Sequence, residues 1–283
     1  MTRFPLLLLL SLPALLLAAY DDGQARHAML VLSAAAYSDV PQTCLASKLP
    51  GAQLIKQTII RCDYFKDYCS GFVALLPKDN AIIVAFRGSS NALQIIAEAS
   101  ESVFSKHVAF SGGGAVSEYF FKAFNDVWQA GMKDAFALVA KTHPSYQLWV
   151  TGHSLGGAMA SIAAATISTQ KLFTASKIRL VTMGQPRTGN KEYANAVDRL
   201  VPSSYRITHK RDIVPHIPPE VFDYYHHSNE VFYDNDMSKA SYKVCGKQED
   251  KKCSDGNLDM SITDHTHYFG KEVSGFGHGG CKA

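Results

Sequence analysis

The chain has 283 residues, 47% of them hydrophobic and 19% charged, the balance of an ordinary globular protein. That length permits one large domain or two small ones. A formal net charge of +3 is too small to point to nucleic acid or to an anionic membrane surface as a partner.

Arg3 precedes an apolar run from Phe4 to Ala19, with five consecutive leucines at 6–10 and small residues Ala18 and Ala19 before Tyr20-Asp21-Asp22. A basic start, a short apolar core and a small-residue exit predict a secretory signal peptide over 1–19, cleaved after Ala19, and an extracellular product. The run covers only 16 residues and is interrupted by Ser11 and Pro13. A spanning helix needs roughly 20 apolar residues, so no transmembrane segment is expected here, and no later segment is more apolar. All six cysteines, Cys44, Cys62, Cys69, Cys245, Cys253 and Cys281, fall after the signal. An even count in a secreted chain suggests disulfides, whose pairing the spacing leaves open. No Cys-x-x-Cys or His-Glu-x-x-His spacing argues for zinc, and there is no Asn-x-Ser/Thr sequon.

Further along, residues 24–37 are rich in Ala, Leu and Met and predict a helix. Residues 52–60 and 71–76 read as strands. Residues 81–86 form a continuous apolar run, as a strand buried on both faces shows, ending in Arg87-Gly88-Ser89-Ser90. Residues 91–110 have mixed polarity and no strand pattern. Ser111-Gly112-Gly113-Gly114 reads as a flexible joint. Phe120, Phe124, Val127, Met132, Phe136 and Val139 recur at spacings of three to five and predict one helix over 118–141, ended by His143-Pro144. Then come a strand at 147–150, a small-residue helix at 155–168, a strand at 178–183, a short helix at 193–200 and a short strand at 205–208. Such alternation predicts parallel βαβ units, hence an α/β fold in which residues 20–283 form a single domain around a central sheet.

Thr151-Gly152-His153-Ser154-Leu155-Gly156-Gly157 lies where a strand gives way to a helix. A serine at such a sharp turn projects its hydroxyl above the sheet in strained backbone geometry, and its neighbours two residues away must be small. The helix opening at Leu155 points free N–H groups at the same spot. Ser154 is therefore the candidate nucleophile of a serine hydrolase. A serine hydroxyl needs a base, and the base an orienting acid, which in sheet hydrolases follow in the order acid, then histidine.

Among the downstream acids Asp198, Asp212, Asp223, Asp234 and Asp236, Asp212 is best placed, in the loop after the strand at 205–208. The competing reading is a solvated carboxylate paired with Arg211. Of the histidines, His216 follows Asp212 too closely, and His226-His227 read as surface residues. His265 and His267, in Asp264-His265-Thr266-His267-Tyr268-Phe269-Gly270, are the better bases, and spacing does not separate them.

Five motifs in order resemble the class 3 lipases, the filamentous-fungal triacylglycerol lipases and their animal relatives. They are Phe86-Arg87-Gly88-Ser89-Ser90, Thr151 to Gly157, Gly184-Gln185-Pro186-Arg187-Thr188-Gly189, Arg211-Asp212-Ile213-Val214-Pro215-His216, and Asp264-His265 with Tyr268-Phe269-Gly270. The likeness runs over about residues 34–281. It implies an α/β-hydrolase fold, a central mostly parallel sheet flanked by helices with a lid segment at about 91–110. It implies Ser154 as nucleophile, Asp212 as acid and His265 as base, with the backbone N–H groups of Ser89 and Leu155 forming the oxyanion hole. It further implies disulfides Cys44–Cys281, Cys245–Cys253 and Cys62–Cys69. Leu93, Ile95 and Ile96 become lid residues facing substrate, and the glycines 112–114 a hinge. Tyr119, where a smaller residue is usual, and His267, where a hydroxyl is common, depart from the pattern and bear on substrate shape.

The expected reaction is hydrolysis of acylglycerol lipids at a lipid–water interface by a secreted monomer, through an acyl-enzyme and with no cofactor or metal. Rivals within the chemistry are a phospholipase, a monoacylglycerol lipase or a feruloyl-type esterase. A binding protein built on a dead hydrolase fold would lack the serine, acid or base, and all three are present.

Overall fold

The computed structural model describes residues 19–62, 68–89, 106–257 and 259–282. At its centre is an eight-stranded sheet in the order β1-β2-β3-β6-β7-β8-β9-β10. These strands are β1 (Gln53–Arg61), β2 (Tyr68–Leu76), β3 (Ala81–Phe86), β6 (Gln147–His153), β7 (Ile178–Met183), β8 (Ser203–His209), β9 (Glu230–Tyr233) and β10 (Lys243–Cys245). From β3 through β9 the pairing is parallel, and β1, β2 and β10 join antiparallel. The expected mostly parallel sheet is thus present, and it brings the carboxyl ends of β3, β6, β7 and β8 to one edge.

The apolar runs of β3 and β7 are buried along their whole length because helices cover both faces. Alternate residues go to opposite sides. Val73, Val84, Val150 and Leu180 pack with Phe120, Phe124, Phe136, Met159 and Tyr193 on one face. Ala74, Ile83, Val181 and Ile207 pack with Leu32, Ala35, Tyr37, Leu45 and Val273 on the other. The first face carries α3 (Glu118–Val127), α4 (Lys133–Thr142), α5 (Leu155–Thr169) and α6 (Lys191–Leu200). The second carries α1, a continuous helical run of Asp22–Gln24, Ala25–Met29 and Leu30–Ala35, together with α2 (Pro41–Lys48) and α8 (Val273–His278). The remaining helix, α7 (Ile262–Thr266), precedes α8 in the chain and carries His265. Helix α5 is buried from Leu155 to Ile167, and its Gly and Ala side chains let it lie close against the sheet.

Two expectations about backbone need correction. The helix over 118–141 is broken: a wide turn at Trp128–Met132 separates α3 from α4, with Gly131 at φ 128°. Only glycine adopts that conformation cheaply, so the apolar periodicity continues while the axis does not. The glycine run is not a free joint either. It closes a hairpin between β4 (His107–Ala109) and β5 (Ala115–Ser117), with Phe110 N–H donating to Gly114 O and Gly113 N–H to Phe110 O. Gly114 has φ +74°, and a Cβ there would stand 2.2 Å from Tyr193 N. The first described residues of the expected lid span, 106–110, thus belong to a paired hairpin. Leu93, Ile95 and Ile96 lie outside the described residues.

The structure bonds Cys44 to Cys281, Cys62 to Cys69 and Cys245 to Cys253. Cys44–Cys281 closes 237 residues, tying α2 to the end of the chain. Loop-closure entropy makes a link of that span worth roughly 5 kcal/mol against the unfolded state.

Gly114→Ala tests the hairpin. Left-handed backbone and contact with α6 should together lower stability by about 2 kcal/mol or more, read as a fall in the urea midpoint. An unchanged midpoint would return the glycines to the role of a slack joint.

Candidate active site

Ser154 sits between the end of β6 and the start of α5 with φ 59° and ψ −131°, a conformation that non-glycine residues rarely adopt. The turn is that tight because strand and helix nearly touch. A Cβ on Gly152 would stand 2.1 Å from Gly156 O, and one on Gly156 2.3 Å from Phe86 O. Ser154 N–H donates to Met183 O at 3.0 Å, locking the turn to the end of β7. Ser154 itself is 2% exposed. The first bonds of α5 come from the N–H groups of Gly157 and Ala158 to Ser154 O. The N–H of Leu155 precedes them and stays outside the helical ladder.

The loop after β3 passes directly over this turn. A Cβ on Gly88 would lie 3.1 Å from Ser154 Cβ, so the backbone leading into Ser89 runs against the nucleophile candidate. Arg87 N–H donates to Ser70 O at 2.9 Å, and its guanidinium reaches Tyr68 O, which fixes the loop to β2. Ser89 is half-buried at the edge of the described chain.

Asp212 and His265 come together from loops beyond β8 and at α7. His265 Nδ1 lies 2.9 and 3.1 Å from the Asp212 carboxylate oxygens, with both residues 1% exposed or less. A carboxylate only accepts, so Nδ1 carries the hydrogen. Nε2 is left as the ring's lone-pair nitrogen, buried and without a hydrogen-bond partner. Asp212 also accepts from Tyr268 Oη at 2.6 Å and from Val214 N–H at 2.9 Å. Burial pushes this carboxyl up, but the charge of His265 and the hydrogen bonds from His265, Tyr268 and Val214 prevail and hold it below the usual carboxylate range. Gly184, at φ +54°, lies against the pair: a Cβ there would stand 2.8 Å from Asp212 Oδ2 and 2.9 Å from His265 Nδ1.

The other sequence candidates fall elsewhere. Arg211 pairs with Asp264 at 3.5 Å rather than with Asp212. His267 turns back onto Thr263 O and Thr266 Oγ1 within its own helix end. His216 lies in the short turn Val214–His216. His226 and His227 are not surface residues but are 4% and 2% exposed. They lead into β9 beside the buried Arg206, whose Nε–H donates to His227 O. Burial, then the Arg206 charge, holds His227 down to about 3 and His226 well below its ordinary value. Glu220, Glu249 and Asp255 bring carboxylate oxygens within 4.8 Å of one another, as a cation site requires. The Arg187 guanidinium already occupies that role, at 2.8 Å from Glu249 and 3.0 Å from Asp255.

Sequence reasoning assigned no role to Tyr268, Gly184 or Gly88, although each lies in a motif it singled out. The phenol three residues after His265 and a glycine at a strand end were the available signals.

Residues 83–222 match the family described as lipase (class 3). A lipase of Caenorhabditis elegans is 34% identical over 93% of this chain and 83% of its own length. The secreted mono- and diacylglycerol lipase 1 of Fusarium solani is 34% identical over 71% of this chain and 60% of its own length. Among solved structures, a triacylglycerol lipase whose catalytic centre is a serine protease triad superposes with a TM-score of 0.76 at 29% identity, covering 87% of this chain and 93% of that one. The fold is therefore the α/β-hydrolase fold expected from the sequence.

The buried histidines predict an acid limit to stability. His153 and His227, both held down to about 3, stay neutral in the folded protein while the unfolded chain protonates them. The folded pKa is the lower one, so stability is lost as pH falls below the unfolded value of about 6.5. At pH 5 each should cost about 2 kcal/mol relative to pH 8. Urea midpoints at the two pH values measure this, and equal midpoints would contradict the burial.

Proposed function

Because the chain belongs to the class 3 lipase family, we propose that it is a secreted acylglycerol lipase that works through an acyl-enzyme on Ser154. The observation that carries this reading is the left-handed Ser154 at the β6–α5 turn, at the same end of the sheet as a buried Asp212–His265 pair whose Nε2 is left open. In this reading His265 Nε2 takes the Ser154 proton as Oγ attacks the ester carbonyl. Asp212 steadies the imidazolium, and the proton passes to the leaving alcohol. The N–H groups of Ser89 and Leu155 hold the oxyanion, and losing one such donor costs roughly 3 kcal/mol of barrier. Water then repeats the sequence on the acyl-enzyme and frees the fatty acid.

Acylglycerol is the substrate chemistry shared by the fungal relative and the structural neighbour. Three disulfides suit an oxidising compartment. Tyr20, the first residue after the expected cleavage point, packs its ring on Tyr205 and Tyr242 at 5.7 and 4.9 Å. A mature chain starting there would keep that anchor. Residues 91–110, with Leu93, Ile95 and Ile96, supply a lid that covers the site in water and turns its apolar side onto lipid.

Ser154→Ala should lower hydrolysis of emulsified triolein by at least about a thousandfold and abolish labelling by a fluorophosphonate. Retained turnover would refute the acyl-enzyme. If the lid gates the site, turnover on emulsified triolein exceeds that on the same ester below its solubility limit. Equal rates per dissolved substrate would remove the lid.

A further inference from the structure

His153 ends β6, immediately before Ser154, and the proposed mechanism gives it no task. Its ring is buried and stacks on His265, with centroids 4.7 Å apart and planes 24° from parallel. Nε2 lies 2.8 Å from His265 O and Nδ1 2.8 Å from Tyr37 Oη. A carbonyl only accepts, so Nε2 carries the hydrogen. Burial, then the charge of His265, holds His153 down to about 3, so the ring is neutral and Nδ1 is a lone pair. Tyr37 therefore donates its hydroxyl hydrogen to Nδ1. The same Tyr37 oxygen accepts from the backbone N–H of Gly88, and a Cβ on Gly88 would stand 2.1 Å from it.

Each hydrogen in this series has one place: Gly88 N–H to Tyr37, Tyr37 O–H to His153, His153 Nε2–H to the carbonyl of His265. The two ends are the backbone groups whose placement the chemistry depends on most. Gly88 leads into the oxyanion loop, and His265 is the base. We propose that Tyr37 and His153 are positioning residues that hold the base and the oxyanion loop in register across Ser154, an inference that rests on the reading of Ser154, Asp212 and His265 above. An apolar side chain of similar size would fill the space yet leave the Gly88 N–H and the His265 carbonyl unpaired. The locked tautomer also keeps His153 from competing with His265 for the serine proton, since its only lone pair is held by Tyr37.

The experiment measures kcat and KM for p-nitrophenyl butyrate, a soluble ester that needs no interface. Rates are expressed per site counted by complete fluorophosphonate titration. His153→Leu should lower kcat per site by about thirtyfold with KM within about twofold. His153→Gln, whose amide can donate to the His265 carbonyl and accept from Tyr37, should recover to within about fivefold of the parent. Tyr37→Phe should lose about fivefold in kcat. A kcat in His153→Leu equal to the parent, or one in His153→Gln as low as in His153→Leu, overturns the inference. Should His153→Leu fail to fold, an unaltered kcat per site in Tyr37→Phe overturns it alone. Ser154→Ala and His265→Ala are run alongside. Turnover surviving in those two would overturn the active-site reading itself, and loss there with full kcat in the relay variants would overturn only the relay.

Discussion

Everything at the active edge depends on how closely the backbone of α5 approaches the ends of β3 and β6. Gly152 and Gly156 have no room for a Cβ, and Ser154 between them is forced into the left-handed region. Such a conformation costs of order 1–3 kcal/mol and survives only where its surroundings impose it. Here Ser154 N–H is held by Met183 O and its carbonyl by Gly157 and Ala158. Each of these bonds contributes about 1 kcal/mol, enough together to offset the strain. The result is a serine pinned at the mouth of a helix, with the N–H of Leu155 left unclaimed.

The second constraint is electrostatic. Asp212 is buried, a position that favours the neutral acid. It keeps its charge because His265, Tyr268 and the Val214 N–H all donate to it. Acid and base are further tied through the backbone: Ser261 N–H donates to Arg211 O, and Ile213 N–H to Ser261 O. The segment opening α7 is thereby stitched to the Asp212 loop. Away from the site, the buried Arg187 is balanced by Glu249 and Asp255, so two kinds of buried charge are handled in two separate ways.

What could be read in advance follows from which interactions are local. The apolar runs of β3 and β7, the periodicity of α5 and the glycine spacing about Ser154 are local, and their positions in the structure match closely. The break at Gly131 was not legible, because the apolar spacing of Phe124, Met132 and Phe136 continues across it. The strands β9 and β10 are short and polar enough to hide, held by pairing partners distant in sequence. His226 and His227 looked like surface residues because their burial depends on Arg206 and on the segment bridged by Cys245–Cys253. Asp212 could be favoured from its loop, but His265 and His267 are alike in composition. Only the fold turns one ring to the carboxylate and the other back onto Thr263.

The same reasoning explains why His153 passed as a mere neighbour of the serine. Its partners, Tyr37 and His265, are 116 and 112 residues away in the chain. In a strand residue the side chain faces the side opposite its neighbours, and Thr151, on the same face as His153, bonds to Ser33 of α1. Helix α1 therefore reaches the site twice from beneath the sheet, through Ser33 to the strand and through the Tyr37 that follows it to the last residue before the nucleophile. A helix with no residue in the chemistry thus sets the height of the serine turn, and the polar groups it buries are retained because each has a partner in that turn.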